Sequence, residues 1–188
     1  MENNLILAIV GMSGAGKSRA ISYIEKKGIP FVRFGQITDE GLAKAGLPVT
    51  AENEKNFREK LRLDLGMAAY AMQSKEKIDA FLTAHKVIAI DGLYSWEEYI
   101  YLKKEFPNLI LIHVFVEPLL RYKRLSERLI RPIGLEEARH RDIAEIEKLN
   151  KGGPIAIADY LIENNSDNID ELHHKIDSLL KRLGIKND

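Results

Sequence analysis

The chain has 188 residues and a formal net charge of zero, with 28 Lys and Arg against 28 Asp and Glu. Its length suffices for one domain with a substantial core, and a hydrophobic content of 45% argues against a disordered or fibrous chain. The balanced charge argues against binding of nucleic acid or an anionic membrane through the overall field, and the absence of cysteine excludes disulfides and thiolate metal sites.

Short β-rich apolar runs alternate with longer helical patterns along the chain. The predicted strands are Leu5–Val10, Phe31–Phe34, Val87–Ile90, Leu109–Val116 and Tyr160–Ile162. The predicted helices lie near residues 17–27, 52–83, 94–105, 118–130, 135–149 and 168–183. Near-continuous apolar strands are typical of a parallel sheet that helices cover on both faces, so we expect an α/β fold with about five parallel strands. Without a linker or a repeat, residues 1–188 are predicted to form one domain.

The start of the chain and its apolar runs lack the features of targeting or membrane segments. The first four residues are polar and acidic, and the runs Leu5–Val10 and Leu109–Val116 are far shorter than a bilayer span. We therefore expect a cytoplasmic protein with no membrane partner and no nucleic-acid partner.

Two segments do not fit a simple alternation of strands and helices. Residues 36–83 are too long for one crossover helix, and we expect two or three helices that form a lobe on the sheet. Residues 128–138 contain Arg131-Pro132-Ile133-Gly134, which predicts a break between two helices and a short lid. Both segments follow strands at their carboxyl ends, where open α/β sheets bind ligands.

A phosphate-binding motif follows the first predicted strand. Residues Gly11–Ser18 match G-x-x-x-x-G-K-[ST], and a helical pattern comes next, as the motif requires. Its glycines let successive N–H groups curl around a phosphate at a helix N-terminus. We expect the lysine to reach the β- and γ-phosphates and the serine to ligate Mg²⁺. The predicted nucleotide-binding residues of the loop are Gly11, Ser13, Gly14, Ala15, Gly16, Lys17 and Ser18.

A carboxylate ends the predicted strand Val87–Ile90. Asp91 would lie beside the phosphate loop, where it can hold Mg²⁺ or accept a proton from an attacking hydroxyl, and the sequence leaves these roles open. The next residue is Gly92, so the Asp-Glu pair of many ATP-hydrolysing motors is missing.

Two other runs resemble motifs of different nucleotide-binding classes but lack a required residue or context. The run Asn150–Gly153 lacks the carboxylate of a guanine-reading motif. We interpret His140-Arg141-Asp142 as a helix start with solvated charges.

Arginines concentrate around the predicted lid. Arg121, Arg124 and Arg128 are spaced three and four apart, which predicts one shared helix face, and Arg131 follows at the break. Phosphoryl transfer spreads negative charge over the moving oxygens, and arginines carried on a lid stabilise that charge. We expect this role for Arg128 and Arg131, and a nucleotide contact for Arg124.

The predicted lobe and the second strand offer residues for an acceptor. Arg58 and Arg62 are four apart on one helix face, Arg33 ends the second strand, and Asp39 follows it closely. Arginine is suited to a substrate phosphate, and Asp39 to an acceptor hydroxyl. Pairing of the two helical arginines with neighbouring acids is the structural alternative.

Together these features resemble the P-loop small-molecule kinases, chiefly nucleoside-monophosphate kinases and dephospho-coenzyme A kinase. The stretch Ile157–Asn165 looks like the Ala-Asp-strand-Asn ending of dephospho-coenzyme A kinases, and Phe34–Leu47 looks more like uncharacterised kinase-like relatives found chiefly in archaea. The resemblance implies a three-layer αβα P-loop NTPase domain with the P-loop strand in the centre of the sheet, plus a helical acceptor-binding lobe and a short lid.

Two departures from the sequence patterns of these kinases leave the identity of the acceptor undetermined. The second strand ends Arg33–Gln36 without the Asp that dephospho-coenzyme A kinases usually carry there, and Asp91–Ser95 lacks the Arg of the adenylate kinase run. We expect an ATP- and Mg²⁺-dependent kinase that phosphorylates a small nucleotide-like acceptor. The alternatives are a dephospho-coenzyme A kinase and, from another class, a regulatory or assembly factor that binds and slowly hydrolyses nucleotide.

Overall fold

A computed structural model describes residues 4–185; the ends of the predicted 1–188 domain lie outside this range. The strands are β1 (Leu5–Val10), β2 (Phe31–Arg33), β3 (Val87–Asp91), β4 (Leu109–Phe115) and β5 (Tyr160–Glu163). The helices are α1 (Lys17–Lys26), α2 (Gln36–Lys44), α3 (Ala51–Leu65), α4 (Ala69–Ala84), α5 (Trp96–Glu105), α6 (Pro118–Ser126), α7 (Leu135–Leu149), α8 (Gly152–Ala156) and α9 (Ile169–Arg182).

The described strands form one parallel sheet in the order β2-β3-β1-β4-β5. Strand β1 is central, with Ile9 opposite Asp91 of β3 on one side and opposite Ile112 of β4 on the other. All of its residues from Ile6 to Val10 are buried, which explains the unbroken apolar run. The prediction of a parallel sheet with the P-loop strand at its centre is confirmed.

Helices cover both faces of the sheet and complete the three predicted layers. One core cluster joins α1 to α9, with Ile24 and Ile176 among its members. The other lies under α4 and α5 and includes Ile78 and Leu102. Among residues 4–185, no helix is both long and apolar enough to cross a membrane.

The predicted lobe consists of the three helices α2, α3 and α4. Helix α3 begins after Thr50, whose hydroxyl accepts a hydrogen bond from the Asn53 N–H at 3.1 Å, and it ends at Gly66 with a φ of 84°. No residue of α3, all of which the structure describes, is buried. The lobe therefore rests on the sheet mainly through α4.

The lid is shorter than predicted, and the helix before it ends early. Helix α6 ends at Ser126 rather than near 130, and α7 already begins at Leu135, so the segment between them is 127–134 instead of 128–138. Gly134 occupies the N-cap of α7 in an extended conformation, and Glu136 and Glu137 favour the helix start that follows. The predicted break at the Pro and Gly residues is confirmed.

Candidate functional site

The phosphate loop lies between the carboxyl end of β1 and the N-terminus of α1. Gly14 and Gly16 have φ angles of 85° and 97°, a backbone conformation that residues with a Cβ atom rarely adopt. A Cβ on Gly16 would lie 2.5 Å from Nδ2 of Asn164, so the loop also lacks the space for a side chain there. A Cβ on Gly11, with a φ of 143°, would clash with the Val114 carbonyl oxygen, so this fold requires both glycines of the motif, Gly11 and Gly16.

Buried side chains from distant parts of the chain hold the loop in place. Asn164, just after β5, donates from Nδ2 to the Ala15 carbonyl at 2.9 Å. Arg121 donates to the Ser13 carbonyl at 2.9 Å and makes a bidentate pair with Asp142 at 3.0 and 2.6 Å. Arg121 and Asp142 are both buried. The loop is thus braced from α6, α7 and the end of β5.

This bracing corrects two interpretations from the sequence. His140-Arg141-Asp142 does not start a helix with solvated charges, because it lies in the middle of α7 and Asp142 is buried in the pair with Arg121. The predicted arginine face is also wrong, since Arg128 lies beyond the end of α6.

Lys17 and Asp91 lie close together at the phosphate loop. The Lys17 ammonium donates to the Met12 carbonyl at 3.1 Å. Burial, followed by repulsion from Lys151, lowers the pKa of Lys17 to about 7. Burial also raises the pKa of Asp91, while the positive charges of Lys17 and Arg33 oppose that shift. The carboxyl group of Asp91 therefore lies within the electrostatic influence of both Lys17 and Arg33.

A second buried ion pair, missed in the sequence, touches the loop. Glu145 of α7 accepts from the Ser13 hydroxyl at 2.8 Å and from Lys151 at 2.6 Å. Burial alone would raise the pKa of Glu145, but Lys151, Ser13 and Arg141 together lower it to about 2. A signal was available: Asp142 and Glu145 are three apart, so they share the inner face of α7 with Ala138.

The loop, the lobe and the lid enclose one cleft of about 810 Å³. Of the predicted residues, it brings together Ser13, Lys17, Arg33, Asp39, Arg58, Arg62, Asp91, Arg128 and Arg131. Its walls also contain residues outside the predicted site set, namely Glu54, Tyr70, Tyr94, Arg141, Glu145 and Lys151. The cleft has room for small-molecule substrates of ordinary size.

Some predicted nucleotide residues lie outside the cleft lining. They are Gly11, Gly14, Ala15, Gly16, Ser18 and Arg124. Ser18 is exposed in the first turn of α1. Arg124 donates to the carbonyls of Asn164 and Ser166 at 2.8 and 2.7 Å, so it braces the loop after β5. A nucleotide contact by Arg124 stays a prediction.

The lid touches the lobe across the cleft. Arg131, with a φ of 53°, donates to Glu54 of α3 at 2.8 Å. Arg128 lies beside the cleft with much of its side chain exposed, and partial desolvation of its guanidinium, followed by repulsion from Arg141, lowers its pKa. The two predicted lid arginines therefore line the same cleft, and Arg131 is paired there with Glu54.

Three arginines line the side of the cleft that α3 and the end of β2 form. Arg33 pairs with Asp39, and Arg58 lies 3.9 Å from Glu54. Arg62 is only 10% exposed, its guanidinium lies 5.0 Å from the Tyr70 ring centre and 4.0 Å from the Glu98 carboxylate, and its buried Nε has no hydrogen-bond partner in the described residues.

Comparisons with known proteins agree with this architecture. A family model described as an AAA domain matches residues 7–150. A UPF0200 protein from Thermococcus onnurineus is 34% identical over 183 residues, covering 95% of this chain and 98% of its relative. The TT1252 protein of Thermus thermophilus has a TM-score of 0.67 at 16% sequence identity, and the match covers 96% of this chain and 98% of that protein. A shikimate kinase from Bacteroides thetaiotaomicron has a TM-score of 0.62 at 14% sequence identity, and the match again covers 96% of this chain and 98% of that chain. The fold is thus that of P-loop kinases.

Proposed function

The chain belongs to the UPF0200 family, and we propose that it is an ATP- and Mg²⁺-dependent kinase that phosphorylates a small nucleotide-like acceptor. The observation that carries the proposal is the convergence of Lys17, Asp91 and the arginines of lid and lobe on one cleft. A kinase needs a donor phosphate site, an acceptor site and positive charge between them, and this cleft offers residues for all three.

The phosphate-loop side of the cleft would hold the donor. The loop N–H groups and Lys17 would bind the phosphates of ATP, and Arg124 would contribute from α6. Ser18 and Asp91 would hold Mg²⁺, a set of oxygen ligands that suits this ion because it is bound by few protein groups plus substrate phosphates. Mg²⁺ would neutralise charge on the phosphate oxygens when bound.

The lid arginines would stabilise the transferring phosphoryl group. Arg128 already faces the cleft, and Arg131 would exchange Glu54 for phosphoryl oxygens. Since the Arg131–Glu54 pair is partly exposed to water, its loss costs at most about 1 kcal/mol. The interaction with the transition state then has to exceed only this small cost for the exchange to favour transfer.

The charge of the cleft favours an anionic acceptor. Among the lining residues in the described part of the chain, nine Lys and Arg face five Asp and Glu. Arg33, Arg58 and Arg62 would bind an acceptor phosphate from the lobe side, and Asp39 an acceptor hydroxyl. For a monophosphate acceptor the attacking oxygen is already anionic. For a hydroxyl acceptor, Asp91 would take the proton.

A dephospho-coenzyme A kinase remains the second candidate because of the segment before α9. There, Asn164 donates to the Ala15 carbonyl of the phosphate loop, and the Asp159 carboxylate accepts from the Leu111 N–H at 2.8 Å. These two residues belong to the stretch that resembles such kinases. Both candidates share the donor site and differ in the acceptor.

The decisive experiment is an acceptor panel. The protein is incubated with Mg-ATP and, separately, with nucleoside monophosphates, nucleosides and dephospho-coenzyme A, and products are resolved by chromatography. One phosphorylated product per ATP consumed supports the kinase and identifies its acceptor class. ATP loss with no phosphorylated acceptor supports the regulatory NTPase instead.

Lys17→Ala tests the donor site in the same assay. We expect phosphoryl transfer to fall by a factor of about 10² to 10³, because a charged donor to the phosphates is lost. Lys26→Ala, at an exposed position on the same helix, is the matched control and should transfer at the wild-type rate. Unchanged turnover in Lys17→Ala would refute the phosphate-loop assignment.

A further inference from the structure

A tight chain reversal after α7 turns the side chain of Lys151 inward. Asn150 ends the helix in the left-handed conformation, with a φ of 51°, and the Lys151 N–H returns to the Glu145 carbonyl at 3.3 Å. The ammonium group then reaches the Glu145 carboxylate and lies 4.7 Å from the ring centre of Tyr94. Lys151 is only 3% exposed.

A buried lysine in this position is costly unless its charge is used. An ammonium group carries three N–H donors, and the Glu145 carboxylate takes one of them. Lysines are almost never fully buried without full pairing, because desolvation of the charge is expensive. Burial lowers the pKa of Lys151, while Glu145 opposes this shift and favours the charged form.

Lys151 lines the cleft and lies near Lys17. The two ammonium groups are close enough to repel each other. Glu145 contacts Ser13 of the phosphate loop on one oxygen and Lys151 on the other, so the pair is joined directly to the phosphate site. An anion bound between the lysines would relieve their repulsion.

We propose that Lys151 is a second catalytic lysine, which binds phosphoryl oxygens of the donor nucleotide beside Lys17. This inference rests on the proposed phosphoryl transfer and adds to it a residue outside the phosphate-loop motif. Glu145 is then a positioning residue: through one N–H donor it holds the ammonium group at the cleft before nucleotide arrives, and the other donors serve the phosphates.

The competing explanation is that Lys151 only neutralises Glu145. Lys151→Met alone cannot separate the two, because it leaves a buried carboxylate without its partner. The double variant Lys151→Met with Glu145→Gln removes both charges and keeps similar side-chain volumes. Comparison of this double variant with Glu145→Gln alone isolates the effect of the lysine on nucleotide binding.

The test measures the affinity of a non-hydrolysable ATP analogue with Mg²⁺ by calorimetry. The variants are wild type, Lys151→Met, Lys151→Arg, Glu145→Gln, the double variant and Lys148→Met, an exposed lysine of α7 that serves as control. Fluorescence of Trp96, which packs on Gly153 two residues after Lys151, gives a second readout. Circular dichroism checks that each variant is folded.

We expect the double variant to bind at least about tenfold more weakly than Glu145→Gln, as loss of a charge-assisted hydrogen bond predicts. Lys151→Arg should recover part of the affinity, and Lys148→Met should match wild type. Equal affinity of the double variant and Glu145→Gln would overturn the inference while leaving the proposed function intact. No binding of the analogue by folded wild-type protein would overturn both.

Discussion

The two walls of the cleft are built in different ways. The phosphate-loop wall is braced by buried contacts, including the pair between Arg121 and Asp142 and the bond from Asn164 to the loop. The lobe wall is carried by α3, none of whose described residues is buried, and most of its ion pairs lie at the surface, although Arg62 beside Glu98 is largely shielded from water. One wall is therefore fixed before ligand binds, and the other is free to adjust.

This difference fits the demands of phosphoryl transfer. A cradle of N–H groups and cations stabilises developing charge best when it is already in position, because no reorganisation is needed during the reaction. An acceptor lobe that closes on its substrate excludes water and confers specificity. We therefore expect the donor nucleotide to bind at the braced wall and the lobe wall to determine which acceptor binds.

The largest predicted effect breaks the bracing of the donor wall. Asp142→Ala leaves the buried Arg121 guanidinium without its carboxylate, so the free energy of unfolding should fall by about 3–5 kcal/mol. Urea denaturation measures this change. Glu136→Ala, on the same helix but in an exposed pair with Arg139, is the control and should cost less than about 1 kcal/mol. Equal effects of the two changes would remove the distinction between the walls.

Much of the fold and the core of the donor site could be predicted from the sequence, because the signals are local. The strands are visible in the sequence as apolar runs, and the phosphate loop is visible as the glycine spacing within Gly11–Ser18. Asp91 was predictable because it directly follows the apolar run Val87–Ile90, and in the structure it is the last residue of β3. The bracing residues Asp142 and Lys151 could not be assigned in the same way, since their partners are 21 and 6 residues away and meet them only through helix packing and a chain reversal.

The arginines show where local reasoning fails. Spacing alone predicts that Arg121, Arg124 and Arg128 share a helix face, but α6 ends at Ser126 and each arginine has a different environment. Arg121 is buried under the loop, Arg124 binds carbonyls after β5, and Arg128 faces the cleft. Only the tertiary structure decides which positive charge is available to a substrate.

The second prediction concerns Glu98, which lies where the lobe meets the sheet. Burial raises its pKa to about 7, although the N–H groups of Tyr94 and Ser95 oppose the shift, and Arg62 lies 4.0 Å away. Between about pH 5 and pH 7 the folded protein therefore holds a proton that the unfolded chain releases. Stability should fall by roughly 2 kcal/mol as the pH rises through this window.

Thermal unfolding at several pH values measures the effect of Glu98. Glu98→Gln cannot ionise but retains an acceptor oxygen for the capping N–H groups, so its melting temperature should vary less between pH 5 and pH 7. Glu76→Gln, at an exposed site on α4, should keep the wild-type slope. An unchanged slope in Glu98→Gln would mean that this carboxyl group is ionised throughout.

The third prediction tests the lobe as the acceptor wall. Arg58→Met removes a cation from the cleft without touching the phosphate loop. We expect the KM of a phosphate-bearing acceptor to rise about tenfold, equivalent to one charged contact, with the KM of ATP unchanged. Steady-state kinetics with each substrate varied in turn measures the KM of the acceptor and the KM of ATP separately. A rise in the KM of ATP instead would assign Arg58 to the donor.

The smallest predicted effect is at the surface of the lobe. Lys60 and Asp64 form an ion pair at 2.8 Å on α3, but their side chains are 75% and 49% exposed. Lys60→Ala should change the free energy of unfolding by no more than about 0.5 kcal/mol, because water screens the pair and alanine favours the helix. The KM values of both substrates should stay the same, since Lys60 does not line the cleft. A loss above about 1.5 kcal/mol by urea denaturation would mean that surface pairs hold α3 in place, and the lobe wall would then be as fixed as the donor wall.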